Sequence, residues 1–187
     1  MSWSCVNMVN ELVWIDLEMT GLEPKKHVIV EIATVITSAD LEILQMGEDI
    51  VIGASELELS EMGEYVRNMH TKSNLLSDIE NSNVTMKEAE ERTIRFLDSH
   101  LPSKYNPPLC GNSIGIDRRF LAEHMPALEN RMHYRCVDVT SIKELIYRWR
   151  PSILRKAPKK GKQHRAMDDI LESIEELKFY KENVFNL

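Results

Sequence analysis

The sequence has few cysteines, a deficit of positive charge and no long apolar run. Its three cysteines in 187 residues lie far apart, follow no metal-ligand spacing and leave at least one unpaired. Lys and Arg number 23 against 30 Asp and Glu, which gives a formal net charge of −7 at pH 7. No stretch of about 18 apolar residues could span a bilayer. Internal repeats and linkers rich in Pro, Gly or Ser are also missing from the sequence.

Each of these absences excludes a class of protein. Dispersed cysteines of odd number are typical of reduced thiols in the cytoplasm rather than of a disulfide scaffold. An acidic chain is not expected to bind long nucleic acid by neutralising many phosphates, but it can hold a short anionic substrate through metal ions. Residues 1–10 contain no Lys or Arg and no apolar run suited to a signal peptide. We therefore expect a soluble, cytoplasmic protein with no membrane partner.

The pattern of apolar residues predicts an α/β fold. Strands are predicted at 12–17 and 27–37, with a weaker third strand at 43–52. Helical spacing begins at residue 56. Later helices are predicted at 85–101, from 117, from 141 and at 165–181. Two further strands are predicted at 109–111 and 134–139. This order predicts a mixed sheet with helices packed on it. Residues 1–187 are expected to form a single domain, with residues 1–10 as a flexible N-terminus.

Two carboxylates lie at the C-terminal end of the first predicted strand. Because alternate residues of a strand share a face, Asp16 and Glu18 project from the same side. Two like charges so close together raise the pKa of one of them unless a positive charge compensates, and a divalent cation such as Mg²⁺ is the usual solution. A lone Asp-x-Glu motif is also common at solvated strand edges. This segment by itself leaves both interpretations open.

A second cluster follows the strand predicted at 109–111. A Gly-containing turn that includes Asn112 and Ser113 leads to Asp117 at the start of a helix. Backbone N–H groups and a carboxylate can converge on a ligand at such a place. Alternatively, Asp117 merely caps the helix.

The third cluster surrounds His164, which precedes the last predicted helix. A His titrates near neutral pH and could be a general base, although a lone His at a helix start can also be structural or exposed. The helix has an apolar stripe that should face the sheet, formed by Ala166, Ile170, Ile174 and Leu177. Asp169 lies at the border of that stripe, whereas Asp168 points almost directly away from it. We therefore expect Asp169 to be a ligand and Asp168 to face solvent or the helix N-terminus.

Together the three clusters resemble the DEDDh exonucleases, a family of 3′-to-5′ nucleases. The stretches 14–22, 110–115, 117–121 and 166–170 are similar, more narrowly, to the oligoribonuclease branch of that family, and the likeness extends from about residue 11 to the C-terminus. The resemblance implies an RNase H-like mixed five-stranded sheet flanked by helices. It also implies hydrolysis of very short RNA oligomers, dinucleotides above all, to nucleoside 5′-monophosphates.

The resemblance assigns roles to the clustered residues. Two divalent ions, Mg²⁺ or Mn²⁺, would be held by four carboxylates, namely Asp16, Glu18, Asp117 and Asp169. His164 would take the proton from the attacking water.

The same resemblance suggests how a short substrate is held. The implied substrate-binding residues are Leu22, His70, Asn112, Ser113, Arg135, Thr140 and Ser141. Leu22 would wedge between the two bases and His70 would lie close to the substrate. The 5′ phosphate would be bounded by Ser113, Thr140 and Ser141. Tyr134, which we assign a catalytic role, and Arg135 would reach that phosphate from the other subunit of a homodimer, since Arg binds phosphate in a bidentate manner. Alternatively, Tyr134 and Arg135 form only a dimer contact, and His70 is a helix-end surface residue.

The stretch 155–162 is more basic than the corresponding family loop. It is either a solvated loop or a surface through which Lys159, Lys160 and Lys162 steer an anionic substrate. Two other functions also remain open. A DNA exonuclease of the same fold would need an open basic and aromatic groove, and a non-catalytic dimeric module that binds nucleotides would not need the four carboxylates and the His.

Overall fold

A six-stranded mixed sheet lies at the centre of the computed structural model, which describes residues 10–158, 161 and 164–185. Its strands are β1 (Leu12–Met19), β2 (Ile29–Thr37), β3 (Ile43–Met46), β4 (Ile50–Val51), β5 (Pro108–Gly111) and β6 (His133–Asp138). Five of them follow the order β3-β2-β1-β5-β6, and β4 pairs with β2. The pairs β1–β2, β2–β3 and β2–β4 are antiparallel, whereas β1–β5 and β5–β6 are parallel. The predicted mixed sheet is confirmed.

Helices connect and cover these strands. Within the described ranges they are α1 (Glu56–Ser60), α2 (Glu64–Lys72), α3 (Leu75–Asn81), α4 (Met86–His100), α5 (Gly115–His124), α6 (Pro126–Arg131), α7 (Val139–Trp149), α8 (Pro151–Leu154) and α9 (Ala166–Tyr180), followed by a π-helical turn at Lys181–Phe185. No helix in these ranges is both long enough and apolar enough to cross a membrane.

The third strand differs from its prediction. The stretch 43–52 forms two strands, β3 and β4, which pair with different parts of β2. Between them the N–H group of Gly47 donates to the carbonyl oxygen of Thr34 at 2.8 Å, so the chain stays against β2 without a regular ladder. A Cβ atom at Gly47 would lie 3.0 Å from that same oxygen. The close approach of the two backbones therefore favours glycine at the break.

The two faces of the sheet carry separate apolar cores. On one face, Ile15 and Leu17 of β1 pack with buried residues of α4, α5 and α6. On the other face, Trp14 packs with α9, and the stripe predicted at 166, 170, 174 and 177 is buried there. Because side chains alternate along β1, Asp16 and Glu18 lie on the face that α9 covers.

Candidate active site

The carboxyl end of β1 brings two carboxylates under α9. Glu18 is only 8% exposed, and Asp16 is half-buried. In the antiparallel register, Glu18 lies opposite Glu31 of β2. The alternation of the strand predicted this shared face, and the interpretation as a solvated edge is wrong for Glu18.

Asp117 is tied to the same end of β1. Its Oδ1 accepts a hydrogen bond from the N–H group of Leu17 at 3.3 Å, and the residue is buried. Helix α5 begins at Gly115, two residues earlier than predicted, and Ile114 occupies the N-cap position. Asp117 is therefore not the cap of its helix, and its carboxylate is directed toward β1.

The segment before α9 places His164 and Asp169 beside Glu18. One donor atom from each of Glu18, His164 and Asp169 lies within 4.8 Å of the other two. His164 has a φ of 48°, in the left-handed region that a non-glycine residue rarely adopts. Asp168 is half-buried and lies outside this cluster. Of the two neighbouring aspartates, the one that the helical wheel favoured lies in the cluster, and its role as a ligand stays a prediction.

Burial and like charge dominate the electrostatics of this cluster. Burial is the largest cause that raises the pKa of Glu18, to about 9, and the carboxylates of Asp169, Glu31 and Asp117 raise it further. The guanidinium of Arg165 acts in the opposite direction. Burial likewise raises the pKa of Asp117 to about 7, although hydrogen bonds from backbone N–H groups lower it. The protein alone therefore holds these carboxylates at a high cost in free energy.

A divalent cation suits this donor set. Hard cations such as Mg²⁺ and Mn²⁺ prefer carboxylate oxygens, and a His nitrogen is also a ligand for divalent metals. Glu18 and Asp169 lie in the cluster, and Asp117 is close enough for its charge to raise the pKa of Glu18. A bound cation would offset the mutual repulsion of these carboxylates.

His70 lies beneath Glu18 rather than at the surface. Its ring is fully buried in α2, and its Nε2 lies 3.0 Å from the carbonyl oxygen of Met19. Burial lowers the pKa of His70, so Nε2 donates this hydrogen bond from a neutral ring. Nδ1 then faces Glu18 Oε2 at 3.9 Å and has no hydrogen-bond partner among the described residues. The alternative of a helix-end surface residue is wrong.

A polar network gathers the residues predicted to bind the 5′ phosphate. Asp138, the N-cap of α7, accepts from the N–H groups of Ser113 at 3.0 Å and Thr140 at 2.9 Å. The hydroxyls of Ser113 and Thr140 are 3.1 Å apart, and the hydroxyl of Ser141 lies 3.4 Å from Asp138. Asn112 accepts from the Thr140 hydroxyl at 3.1 Å. Ser113, Thr140 and Ser141 of the predicted set therefore meet at the N-terminus of α7, although Asp138 itself was not predicted.

Tyr134 and Arg135 lie apart from that network on the edge strand β6. Tyr134 is 74% exposed, and the Arg135 guanidinium is stacked 5.5 Å from the centre of its ring. Arg135 Nε also donates to the Tyr134 hydroxyl at 3.2 Å. Within one chain these two side chains thus contact each other in solvent.

Leu22 and His164 each border a surface depression. Leu22 is 65% exposed and lines a pocket with Arg119 of α5. His164 lines a second pocket with Tyr65 and Lys72 of α2. The cluster residue His164 therefore borders a concave surface, as a site for a short ligand requires.

Sequence reasoning missed the residues that support this cluster. Glu31 and Asp78 both pair with Arg165, which directly follows His164. A signal for Glu31 was present, because it is the only charged residue in the otherwise uncharged, fully buried β2. Asp78 gave no such signal, since it lies in a helix with other polar residues.

Two predictions fall outside the described residues. One concerns the basic loop, because Lys159, Lys160 and Lys162 are not described. The other concerns the N-terminus predicted to be flexible, nearly all of which is not described either. The steering hypothesis for the basic loop therefore stays a prediction.

Comparison with known proteins decides the family. The exonuclease family model RNase T matches residues 13–177. An oligoribonuclease from Vibrio vulnificus strain CMCP6 is 50% identical over 176 residues, covering 94% of this chain and 96% of the relative. Another from Corynebacterium glutamicum strain R is 49% identical, covering 94% of this chain and 80% of the relative. The chain belongs to the oligoribonuclease family of exonucleases.

Solved structures place this family member in the DEDDh fold. The nuclease domain of 3′hExo, a DEDDh family member bound to rAMP, aligns with a TM-score of 0.64 at 16% identity and covers 95% of this chain and 94% of that chain. Exonuclease I from Methylocaldum szegediense aligns with a TM-score of 0.65 at 15% identity, over 94% of this chain but 41% of that chain. The RNase H-like fold class and a nuclease activity are thus confirmed for this member of the family.

Proposed function

We propose that the protein is a 3′-to-5′ exoribonuclease that degrades very short RNA oligomers, dinucleotides above all, to nucleoside 5′-monophosphates. The observation that carries the proposal is the convergence of Glu18, His164 and Asp169 within 4.8 Å at the carboxyl end of β1. Relatives about half identical in sequence bear the name oligoribonuclease, which supports RNA as the substrate.

The proposed cofactor is a pair of divalent ions, Mg²⁺ or Mn²⁺, bound by Asp16, Glu18, Asp117 and Asp169. Such ions lower the pKa of bound water and neutralise charge on a scissile phosphate. The four side chains come from β1, α5 and α9, so the sheet and both of its covering layers fix their positions.

His164 is the proposed general base. It accepts the proton of the attacking water, whose oxygen forms a bond to phosphorus while the bond between phosphorus and the 3′ oxygen breaks. The pocket beside His164 gives it access to solvent and to a ligand. Leu22, which is exposed, separates the two bases of the substrate, and His70, whose Nδ1 faces Glu18, lies close to the substrate.

The 5′ end is closed by the network at the N-terminus of α7. Ser113, Thr140 and Ser141 present hydroxyls there, and Asn112 orients Thr140. A second copy of the chain supplies Tyr134, with a catalytic role, and Arg135, whose guanidinium pairs with the 5′ phosphate. Exposure of these two residues on an edge strand supports a homodimer. The free thiols of Cys110 and Cys136 support a cytoplasmic location.

Turnover of a 5′-phosphorylated diribonucleotide against a seven-residue RNA tests this function. We expect metal-dependent cleavage, in which Mn²⁺ supports fast turnover of the dinucleotide and EDTA abolishes it. The longer RNA should be cleaved slowly, because a closed 5′ pocket leaves no path for further nucleotides. Equal or faster cleavage of the longer RNA would contradict the pocket, and faster cleavage of a DNA strand would favour a DNA exonuclease.

Two neighbouring aspartates provide a matched control for the metal site. Asp169→Asn should abolish turnover, because it removes a ligand charge from the cluster. Asp168→Asn makes the same chemical change one residue away, outside the cluster, and should keep most of the activity. Loss of activity in both variants alike would contradict the assigned ligand. A chain that binds dinucleotides without any turnover would indicate the non-catalytic module.

A further inference from the structure

A bridge of three charged side chains holds the start of α9. Arg165 Nε donates to Glu31 Oε1 at 2.7 Å, and its Nη2 lies 2.6 Å from the same oxygen. Its Nη1 donates to Asp78 Oδ2 at 2.9 Å. The guanidinium of this Glu31–Arg165–Asp78 bridge therefore joins β2 to α3, two elements far apart in sequence.

Glu31 also binds the helix backbone directly. Its second oxygen accepts from the N–H group of Ala166 at 2.9 Å, one of the free donors at the N-terminus of α9. Glu31 is fully buried and lies opposite Glu18 in the sheet. A single carboxylate thus fixes the first residue of α9 against the strand that neighbours Glu18.

Two residues of the cluster, His164 and Asp169, lie on either side of Arg165 in the sequence. His164 directly precedes Arg165, and Asp169 lies one helical turn after it. His164 has a φ of 48°, a conformation that persists only where the surroundings determine it. The bridge and the Ala166 hydrogen bond hold the backbone on its C-terminal side, together with the burial of Ala166 in the apolar core.

We propose that the Glu31–Arg165–Asp78 bridge is a positioning device that fixes His164 and Asp169 relative to Glu18. Its members act through those residues and do not themselves contact the substrate. The catalytic consequence rests on the proposed function, whereas the positioning does not. Arginine suits this role because its planar fork binds two carboxylates at once, which a lysine ammonium does with less geometric control.

Kinetics of bridge variants give the first test. A misplacement of about 1 Å at a catalytic group costs roughly 100-fold in rate, so Arg165→Met should lower kcat strongly while KM for the dinucleotide changes little. Arg165→Lys should recover part of that loss. Asp78→Ala removes only the ion pair between Arg165 and Asp78, whose side chain is half-exposed. This variant should therefore fold and lower kcat by a smaller factor.

A second test uses metal-free protein and does not require a measurement of activity. The ring resonances of His164 should shift or broaden in Arg165→Met and Asp78→Ala, because the segment loses its anchor. Those of His100 and His124, which bond to other parts of the backbone, should stay unchanged. Calorimetric titration with Mn²⁺ should show weaker binding in both variants than in the wild type.

Asp98→Ala is the matched control. Asp98 pairs with Arg131 at 3.0 Å between α4 and α6, on the sheet face opposite α9. This variant should lower the melting temperature without changing kcat or the His164 signal. Unchanged kcat and His164 resonances in Arg165→Met would overturn the proposal, as would an equal loss of kcat in Asp98→Ala and Asp78→Ala. If the wild type proved inactive but the variants still shifted the His164 resonances, the proposed function would be refuted. The positioning role of the bridge would then still be supported.

Discussion

Burial and like charge make the ionisation of Glu18 costly. This residue is buried on the sheet face beneath α9 and has Asp169, Glu31 and Asp117 as charged neighbours. Its ordinary pKa of 4.5 applies to the unfolded chain, whereas the folded protein without metal holds it at about 9. The folded state therefore binds this proton more tightly, and the resulting stabilisation is complete below pH 4.5 and lost as the pH rises toward 9.

A Glu18→Gln variant should remove this pH dependence. A shift of one pKa unit corresponds to about 1.36 kcal/mol, so the free energy of unfolding of the wild type at pH 8 falls on the order of 4 kcal/mol relative to pH 5 from this group. Urea denaturation in EDTA should find the variant more stable than the wild type at pH 8 but not at pH 5. Adding Mn²⁺ should raise the stability of the wild type at pH 8 much more than that of the variant.

Glu80→Gln is a suitable control for that measurement, since Glu80 is exposed and outside the cluster. It should keep the pH profile of the wild type. An identical pH dependence in Glu18→Gln and the wild type would contradict the assignment of the buried proton to Glu18.

At the residue scale, the sequence placed the proposed ligands better than the residues that support them. The placement of Asp16, Glu18 and Asp169 followed from strand and helix periodicity, because that rule depends only on neighbours in the chain. The pairing of Arg165 with Glu31 joins residues 134 positions apart. Local periodicity holds no information about such a contact.

Among the elements, helix α7 connects the fold to the proposed 5′-phosphate site through its N-cap. Asp138→Ala should lower the free energy of unfolding by about 1 kcal/mol, the usual cost of losing a capping side chain. It should also raise KM for a 5′-phosphorylated dinucleotide more than for an unphosphorylated one, because Ser113 and Thr140 lose their shared acceptor. Asp138→Asn, which keeps an acceptor oxygen, should be closer to the wild type.

Thr85→Ala is a control that separates the loss of stability in Asp138→Ala from its effect on KM. Thr85 caps α4 through the N–H group of Glu88 at 3.2 Å and takes no part in the network. Its loss should cost similar stability with no effect on KM. Equal KM values for Asp138→Ala and the wild type would contradict a role of the network in binding the 5′ phosphate.

Element boundaries show where sequence patterns lose information. The last helix was predicted at 165–181 and observed at Ala166–Tyr180, because its apolar stripe is continuous. Helical spacing after residue 56 did not separate α1, α2 and α3. The break between α2 and α3 is a left-handed Asn74 with a φ of 63°, a backbone feature that apolar periodicity does not report.

For the whole molecule, the edge strand β6 and helix α7 expose large aromatic side chains. Tyr134, Tyr147 and Trp149 are all largely exposed. Exposed apolar surfaces of this kind are typical of protein interfaces, and a two-fold axis would place the same surface on both subunits. This arrangement supports the proposal that each site receives Tyr134 and Arg135 from its partner.

Complementation between two defective variants tests a shared site. Asp117→Asn removes a proposed metal ligand, and Arg135→Ala removes a proposed phosphate contact, so each homodimer should be nearly inactive on a 5′-phosphorylated dinucleotide. In a mixed dimer, the Arg135→Ala subunit keeps its metal ligands and receives an intact Arg135 from the other subunit. Random exchange makes about half of the dimers mixed with one intact site of two, so roughly a quarter of wild-type activity should return.

The recovery distinguishes a shared site from a site within one chain. If Arg135 acted on the metal site of its own chain, every site in the mixture would carry one of the two defects. Activity would then stay at the sum of the separate variants at all mixing ratios. A recovery that peaks at equal amounts, together with sedimentation of the mixture as a dimer, requires Arg135 to act across the interface. The closed 5′ end, and with it the preference for dinucleotides, would then depend on dimerisation.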